Sequence, residues 1–346
     1  MSTPVRHGLH KLLRGEDLTE EEMAAIMEEL VAGRVSEPLA AALLVALRMK
    51  GETADELVGA ARTLRRHMRS VRHSGEFVVD TCGTGGDALH TFNISTAAAL
   101  VVAACGVPVA KHGNRGVSSR SGSADVLRQL GVNLELDVAA IEECLRRVGI
   151  AFCFAPLLHP AMRHVQPVRR ELGIRTLFNF LGPLLNPAGA HYQLLGVGDP
   201  SMQSTVAHAV ARLGCKRVWV VRGAEGLDEV SPTGPTRVFD VADGVVTEFE
   251  IKPEDFGLEP CPLADLVVNS VAESAEMIES VLRGAPGAAR TAVLINAAAT
   301  LLLVGQATDP AQATARAAAA LDQGHALAKL EQLIRVTNEL ADSAAS

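Results

Sequence analysis

Aromatic side chains are scarce in this chain: they make up 3% of its 346 residues, with one Trp and one Tyr. A core of this size must then be built from Ala, Val, Leu and Ile, and a 48% apolar content supplies enough of them. Positive charge is also in deficit. A formal net charge of −8 at pH 7 argues against a general nucleic-acid-binding surface, although a local phosphate site needs only a few well-placed cations. Long hydrophobic runs are missing too. The longest, around Ala292–Val304, contains Asn296 and Thr300 and falls short of a membrane span. The opening residues lack the apolar segment of a secretion signal. Six cysteines (Cys82, Cys105, Cys144, Cys153, Cys215, Cys261) lie far apart, with neither a C-x-x-C pair for structural zinc nor a disulfide framework. Together these absences predict a cytoplasmic protein without membrane or nucleic-acid partners, and the length suggests about two domains.

The first seventy residues read as helical. Thr19 and Glu22 form a capping box ahead of Met23–Val31, Ser36 heads Leu39–Met49, and Thr53 with Glu56 starts a third helix toward Ser70. Three helices predict a small bundle over residues 1–74, linked through Ser70–Gly75. From Glu76 onward, short β-rich runs (77–79, 107–110, 151–154, 193–197, 217–221) alternate with helical ones. This predicts an α/β domain over residues 75–346 with a mostly parallel central sheet. Asp243-Gly244 signals a hairpin and hence one antiparallel element. His159–Glu171 reads as a helix, and the Gly/Pro-punctuated stretch after it as an apolar crossing. The whole segment 159–187 is expected to return to the bundle and close a cleft between the domains.

The glycine run Asp80-Thr-Cys-Gly-Thr-Gly-Gly-Asp87 follows a predicted strand. Glycines there allow backbone N–H groups to turn inward on a bulky anion, and Asn93-Ile-Ser-Thr96 opens a helix whose N-terminus adds more donors. A dinucleotide fold is disfavoured because no acidic residue follows about twenty positions on to hold a ribose. An ordinary tight turn stays open. Lys111-His-Gly-Asn-Arg115 and the serines after it suit phosphate contacts, with a solvated basic loop as the plain alternative. Asp228-Glu229, after a predicted strand, is either a Mg²⁺ pair or two surface acids. Among Arg163, Arg169, Arg170 and Arg175, periodicity does not choose which one selects an anionic second substrate.

In order along the chain, these motifs, with Thr91–Thr96, Ser121–Val126, Val168–Gly173, Phe178–Pro183 and Gly226–Glu229, resemble the anthranilate phosphoribosyltransferase family of tryptophan biosynthesis. One departure is Gly116, where that family more often has Ser or Ala. The resemblance implies a helical domain plus an α/β domain, and a homodimer contacting through the helical domains. It implies that Gly83, Gly86, Asp87, Thr91, Asn93, Ile94, Ser95 and Thr96 hold phosphoribosyl pyrophosphate (PRPP). Lys111, His112, Gly113, Asn114, Arg115, Gly116, Val117, Ser118, Ser119 and Ser123 would complete that site. Ser95, Asp228 and Glu229 would serve Mg²⁺. Arg169 would face the anthranilate carboxylate, with Gly83 and Asn114 against the aromatic substrate. The aniline nitrogen is neutral at pH 7, so no essential base is expected; His112 is left open between a packed and a catalytic histidine. Pyrimidine nucleoside phosphorylases share the architecture, but their lysine-histidine-serine-threonine-glycine-glycine loop is replaced here by Thr81-Cys-Gly-Thr-Gly-Gly86.

Overall fold

The computed structural model describes residues 3–116 and 121–345. Four helices, one more than the sequence suggests, open the chain: Thr3–Leu12, Glu20–Val31, Glu37–Lys50 and Ala54–His67. The extra one carries no capping box to announce it. Both expected boxes form, with Thr19 accepting from Glu22 N–H and Thr53 from Glu56 N–H. Ser36 occupies the N-cap of its helix without a side-chain bond.

A seven-stranded sheet comes next: β1 (Val79–Gly83), β2 (Val109–Gly113), β3 (Ile150–Phe154), β4 (Tyr192–Gly196), β5 (Arg217–Gly223), β6 (Thr236–Ala242) and β7 (Val245–Ile251). Its order is β3-β2-β1-β4-β5-β6-β7, parallel from β3 to β5 and antiparallel from β5 to β7. Asp243 and Gly244, with φ of 48° and 81°, make the hairpin turn between β6 and β7. Connections leave β1 toward β2 and β3 on one side and reach β4 and β5 on the other. Such a switch point opens a crevice at the strand carboxyl ends.

Two strands lie later than their composition indicates. β1 runs 79–83 rather than 77–79, and β2 runs 109–113 rather than 107–110. Asp80, Thr81, Lys111 and His112 are therefore strand residues, all buried. Their burial depends on distant partners, which residue preference does not report.

Side chains along β4 and β5 alternate between two cores, as the two-residue strand period requires. Leu194, Trp219 and Val221 join the core under helices Ile94–Ala104 and Ala288–Leu303. Those helices pack against each other, and each buries a run of alanines, Ala97–Ala99 and Ala297–Ala299, in the shared core. Leu195, Val218 and Val220 face helix Gln203–Arg212 and the N-terminal bundle. The segment 159–187 does return to that bundle, packing Val165, Val168, Leu177 and Phe180 into its core. It is broken into a 3₁₀ turn (Pro160–His164) and a short helix (Gln166–Leu172), not one helix. Pro167 lacks the N–H that a continuous helix would need, whereas Pro160 sits in the first turn, where none is required. Among the described residues, no helix is long and apolar enough to cross a membrane.

Candidate active site

A cleft of about 580 Å³ lies at the carboxyl ends of β1 and β2, roofed by the returning segment. One wall is the loop after β1, an unusual stretch of backbone. Gly85, Gly86, Ala88 and His90 all have positive φ, at 63°, 80°, 60° and 56°. For Ala88 and His90 that conformation is strained and needs outside support. Support comes from Thr84 N–H to Gly196 O (2.9 Å), Val268 N–H to His90 O (2.9 Å) and Phe92 N–H to Leu266 O (2.9 Å). Arg175 donates to Thr84 O at 3.2 Å and stacks over Phe180. Its guanidinium occupies the place where a Cβ on Gly86 would point.

Asp228 and Glu229 enter beneath this loop. Gly85 N–H donates to Asp228 Oδ2 at 2.7 Å, and Ser95 N–H, in the first turn of helix Ile94–Ala104, donates to Glu229 Oε1 at 3.1 Å. A Cβ on Gly83 would collide with the Asp228 carboxylate, and one on Gly196 with its backbone carbonyl. Burial pushes the Glu229 carboxyl up to about 7 and raises Asp228 well above the usual range, with Asp87 and Glu229 adding repulsion to the latter. Asn296 fixes the segment from behind, exchanging hydrogen bonds of 2.9 Å with both Val230 N–H and Val230 O.

This pair fits a hard divalent cation. Its donors are oxygens only, and two half-buried, mutually repelling carboxyls gain most from a dication. Among the described residues no three His, Cys, Asp or Glu side chains form a complete metal cage. That also suits Mg²⁺, which takes one or two carboxylates and completes its shell with waters and substrate phosphate.

The second wall comes from β2 and the loop beyond its end. Lys111 Nζ donates to Thr81 O at 2.5 Å and to Ser95 Oγ at 3.4 Å. Arg115 stands over the Phe154 ring. Asp125 accepts from Gly116 N–H (2.9 Å) and Gly122 N–H (3.2 Å), stapling the base of the basic loop. Asn93 Oδ1 accepts from Ser121 Oγ (2.6 Å) and Ser274 Oγ (2.8 Å), so its amide joins that loop to helix Val271–Leu282 rather than capping its own helix.

The roof carries Arg169 and a histidine pair. Arg169 sits over the Phe178 ring at 5.3 Å. Burial lowers its pKa, and among the described residues it has no acidic partner. His112 Nδ1 lies 3.1 Å from Gly182 O, and its Nε2 lies 3.1 Å from His159 Nε2. A carbonyl only accepts, so Nδ1 carries the proton of neutral His112 and Nε2 accepts from His159. Burial lowers His112 to about 3 and His159 to about 4.

Of the residues expected at the site, Gly83, Gly86, Asp87, Thr91, Asn93, Ile94, Ser95, Lys111–Gly116, Ser123, Arg169, Asp228 and Glu229 line this one cleft. Thr96 stands apart: its side chain is buried on the far side of its helix, with Oγ1 unpartnered among Leu100, Leu127 and Phe152. Val117, Ser118 and Ser119 lie outside the described residues. Of the four candidate arginines, Arg163 and Arg169 reach the cleft, whereas Arg175 braces the glycine loop. His159, Ser274 and Asn296 were not anticipated. Only Asn296 carried a signal, as a polar residue interrupting an apolar helix.

Residues 6–68 match the helical bundle domain, and residues 75–327 the a/b domain, of the glycosyl transferase family. The anthranilate phosphoribosyltransferase of Anaeromyxobacter dehalogenans (strain 2CP-C) is 50% identical over 96% of this chain and 98% of its own length. A crystal structure of the Thermus thermophilus anthranilate phosphoribosyltransferase superposes with a TM-score of 0.89 at 42% identity, covering 96% of this chain and 99% of that one. The Saccharomyces cerevisiae enzyme, solved in complex with PRPP and Mg, gives 0.90 at 28% identity, covering 98% and 99%. By sequence and by fold, the chain belongs to the anthranilate phosphoribosyltransferase family, built from the helical-bundle and a/b domains of that glycosyl transferase group.

Proposed function

We propose that this chain transfers the phosphoribosyl group of PRPP to the amine of anthranilate, releasing pyrophosphate, as a step of tryptophan biosynthesis. One observation carries the reading. A single cleft joins a glycine loop, a basic strand end and a half-buried acidic pair to an aromatic-stacked guanidinium that has no acidic partner among the described residues. The first three suit a metal-bound pyrophosphate and the last suits a carboxylate on a flat ring.

Residue roles follow from charge. The backbone at Gly86–Asp87 and the positive end of helix Ile94–Ala104, with Lys111 and Arg115, hold the pyrophosphate as negative charge develops on it. Ser95, Asp228 and Glu229 hold Mg²⁺, which supplies further charge neutralisation for the leaving group when bound. Arg169 takes the anthranilate carboxylate and so aims the amine at the ribose, with Gly83 and Asn114 beside the ring. His112 donates to Gly182 O and accepts from His159, leaving no lone pair for a proton from the amine. Positioning and leaving-group stabilisation then supply the catalysis. A cytoplasmic homodimer is part of the reading; exposed Leu13 and Met49 on the helical domain support an interface there. The test is loss of anthranilate fluorescence on adding PRPP and Mg²⁺. An unchanged signal removes the assignment.

A further inference from the structure

β1 and β2 pair at only one position, Val79 opposite Val109, whereas β1–β4 and β2–β3 each pair at five. Val79 N–H donates to Pro108 O at 2.9 Å, and no pair beyond Val79–Val109 follows toward the carboxyl ends of the two strands. In a parallel ladder the next rung would join Thr81 N–H to Ala110 O and His112 N–H to Thr81 O. Three of those four groups are instead bound by buried side chains. Ala110 O accepts from Asn186 Nδ2 at 2.7 Å, His112 N–H donates to Asp80 Oδ1 at 3.1 Å, and Thr81 O accepts from Lys111 Nζ at 2.5 Å. Asp80 Oδ2 accepts from Asn186 Nδ2 as well, at 2.8 Å. Asp80 is fully buried and Asn186 nearly so. A carboxylate at such depth is costly, and an apolar β-branched residue there would leave the strands free to zip together.

We propose that Asp80 and Asn186, with Lys111, form a polar wedge that holds β1 and β2 apart at their carboxyl ends, and that the gap so set positions the glycine loop against Lys111–Asn114 for the pyrophosphate. The wedge rests on the PRPP reading of the cleft. Asp80 and Asn186 line no part of that cleft and act as positioning residues. Asn186 closes the returning segment, so the same contacts tie the roof to the sheet.

Asp80→Asn tests this, because its amide sets a donor against one of two existing donors, His112 N–H or Asn186 Nδ2. The variant should raise KM for PRPP at least tenfold and leave KM for anthranilate within twofold. Adding Asn186→Asp reverses the polarity of the pair: the amide at position 80 accepts from His112 N–H and donates to the carboxylate at 186. That double variant should recover part of the PRPP affinity, but not all, since Ala110 O loses its donor. Val58→Ala, a cavity in the helical bundle at a residue that does not line the cleft, controls for lost stability and should move neither KM. An unchanged KM for PRPP in Asp80→Asn overturns the wedge. So does an equal shift in both KM values, or the same shift in the Val58 control. If Asp80→Asn does not fold, Asn186→Ala, which deletes both donors, is read by the same criteria. Wild-type enzyme in the same assay separates the two questions: without PRPP-dependent fluorescence loss the reaction itself is wrong, and with it a normal variant KM removes the wedge alone.

Discussion

Gly85 N–H and Asp228 Oδ2 are 2.7 Å apart, so the glycine loop and the acidic pair already form one unit across the end of the sheet. Asp228→Ala removes both that tie and a carboxylate proposed to hold Mg²⁺. The expected loss in kcat/KM for PRPP is about 10²–10³-fold, the scale for removing one preorganised electrostatic group. Steady-state rates over a Mg²⁺ series should also show a higher half-saturating metal concentration. Wild-type Mg²⁺ dependence would remove Asp228 from the metal site.

Burial places the Glu229 carboxyl at about 7 and Asp228 above its usual range. Holding a dication requires the ionised forms, so apparent Mg²⁺ affinity should weaken as pH falls through about 7. Stability without metal has the opposite sign. A carboxyl raised in the folded state binds a proton that the unfolded chain has released, so its contribution is lost as pH rises through that range. In EDTA the melting temperature should then be lower at pH 8 than at pH 6 from this pair, and Mg²⁺ should raise it more at pH 8. Melting curves at the two pH values, with and without Mg²⁺, check both signs.

Arg169 is half-buried over Phe178, and among the described residues it has no acidic partner. Arg169→Ala should raise KM for anthranilate by about 10–100-fold, the range for one hydrogen-bonded charge pair. PRPP affinity measured by calorimetry should stay within about threefold. Equal loss of both would move Arg169 to a structural role.

Much of this site was legible because its signals are local. Glycines in series, an Asp-Glu pair after a strand and a Lys-His-Gly-Asn-Arg run each depend on neighbours in sequence. The hidden part acts over long separations. Asp80 looked like the first residue of a loop because its partners, His112 and Asn186, lie far along the chain. Ser274 lies between Glu273 and Glu276 in sequence, yet it is wholly buried, with its hydroxyl donating to Asn93. Thr96 shows the converse: it shares a motif with Ser95, but one step around a helix turns its side chain away from the cleft. The helix predicted over 159–171 divides just before Pro167, a signal that stood in the sequence itself.

The His112–His159 pair makes a prediction in both activity and stability. His112→Asn keeps a donor for Gly182 O but has no imidazole to act as a base, so kcat should stay within about tenfold of wild type. The kcat–pH profile should lack a limb near 6.5, because burial holds the pair at about 3 and about 4. Both pKa values are depressed on folding, so the pair's stabilisation is complete above about 6.5 and is lost as pH falls below it. Urea titrations between pH 7 and 5 should show that loss, and His159→Gln should flatten it.

Asn296 is the clearest case of a buried polar side chain fixing a functional segment from behind. Its side chain satisfies Val230 N–H and Val230 O together, and Thr300 Oγ1 donates to the Asn296 backbone carbonyl. Asn296→Leu keeps the volume and suits an apolar helix, so propensity alone predicts a neutral change. The hydrogen bonds predict otherwise: two buried backbone groups lose their partners, at about 1–3 kcal/mol each. Because Val230 follows directly on Glu229, the released strain should appear at the metal as well as in the melting curve. A destabilised variant with weakened Mg²⁺ activation is expected, and Asn296→Asp should regain only the Val230 N–H bond. A loss of stability with normal Mg²⁺ dependence would confine Asn296 to the core.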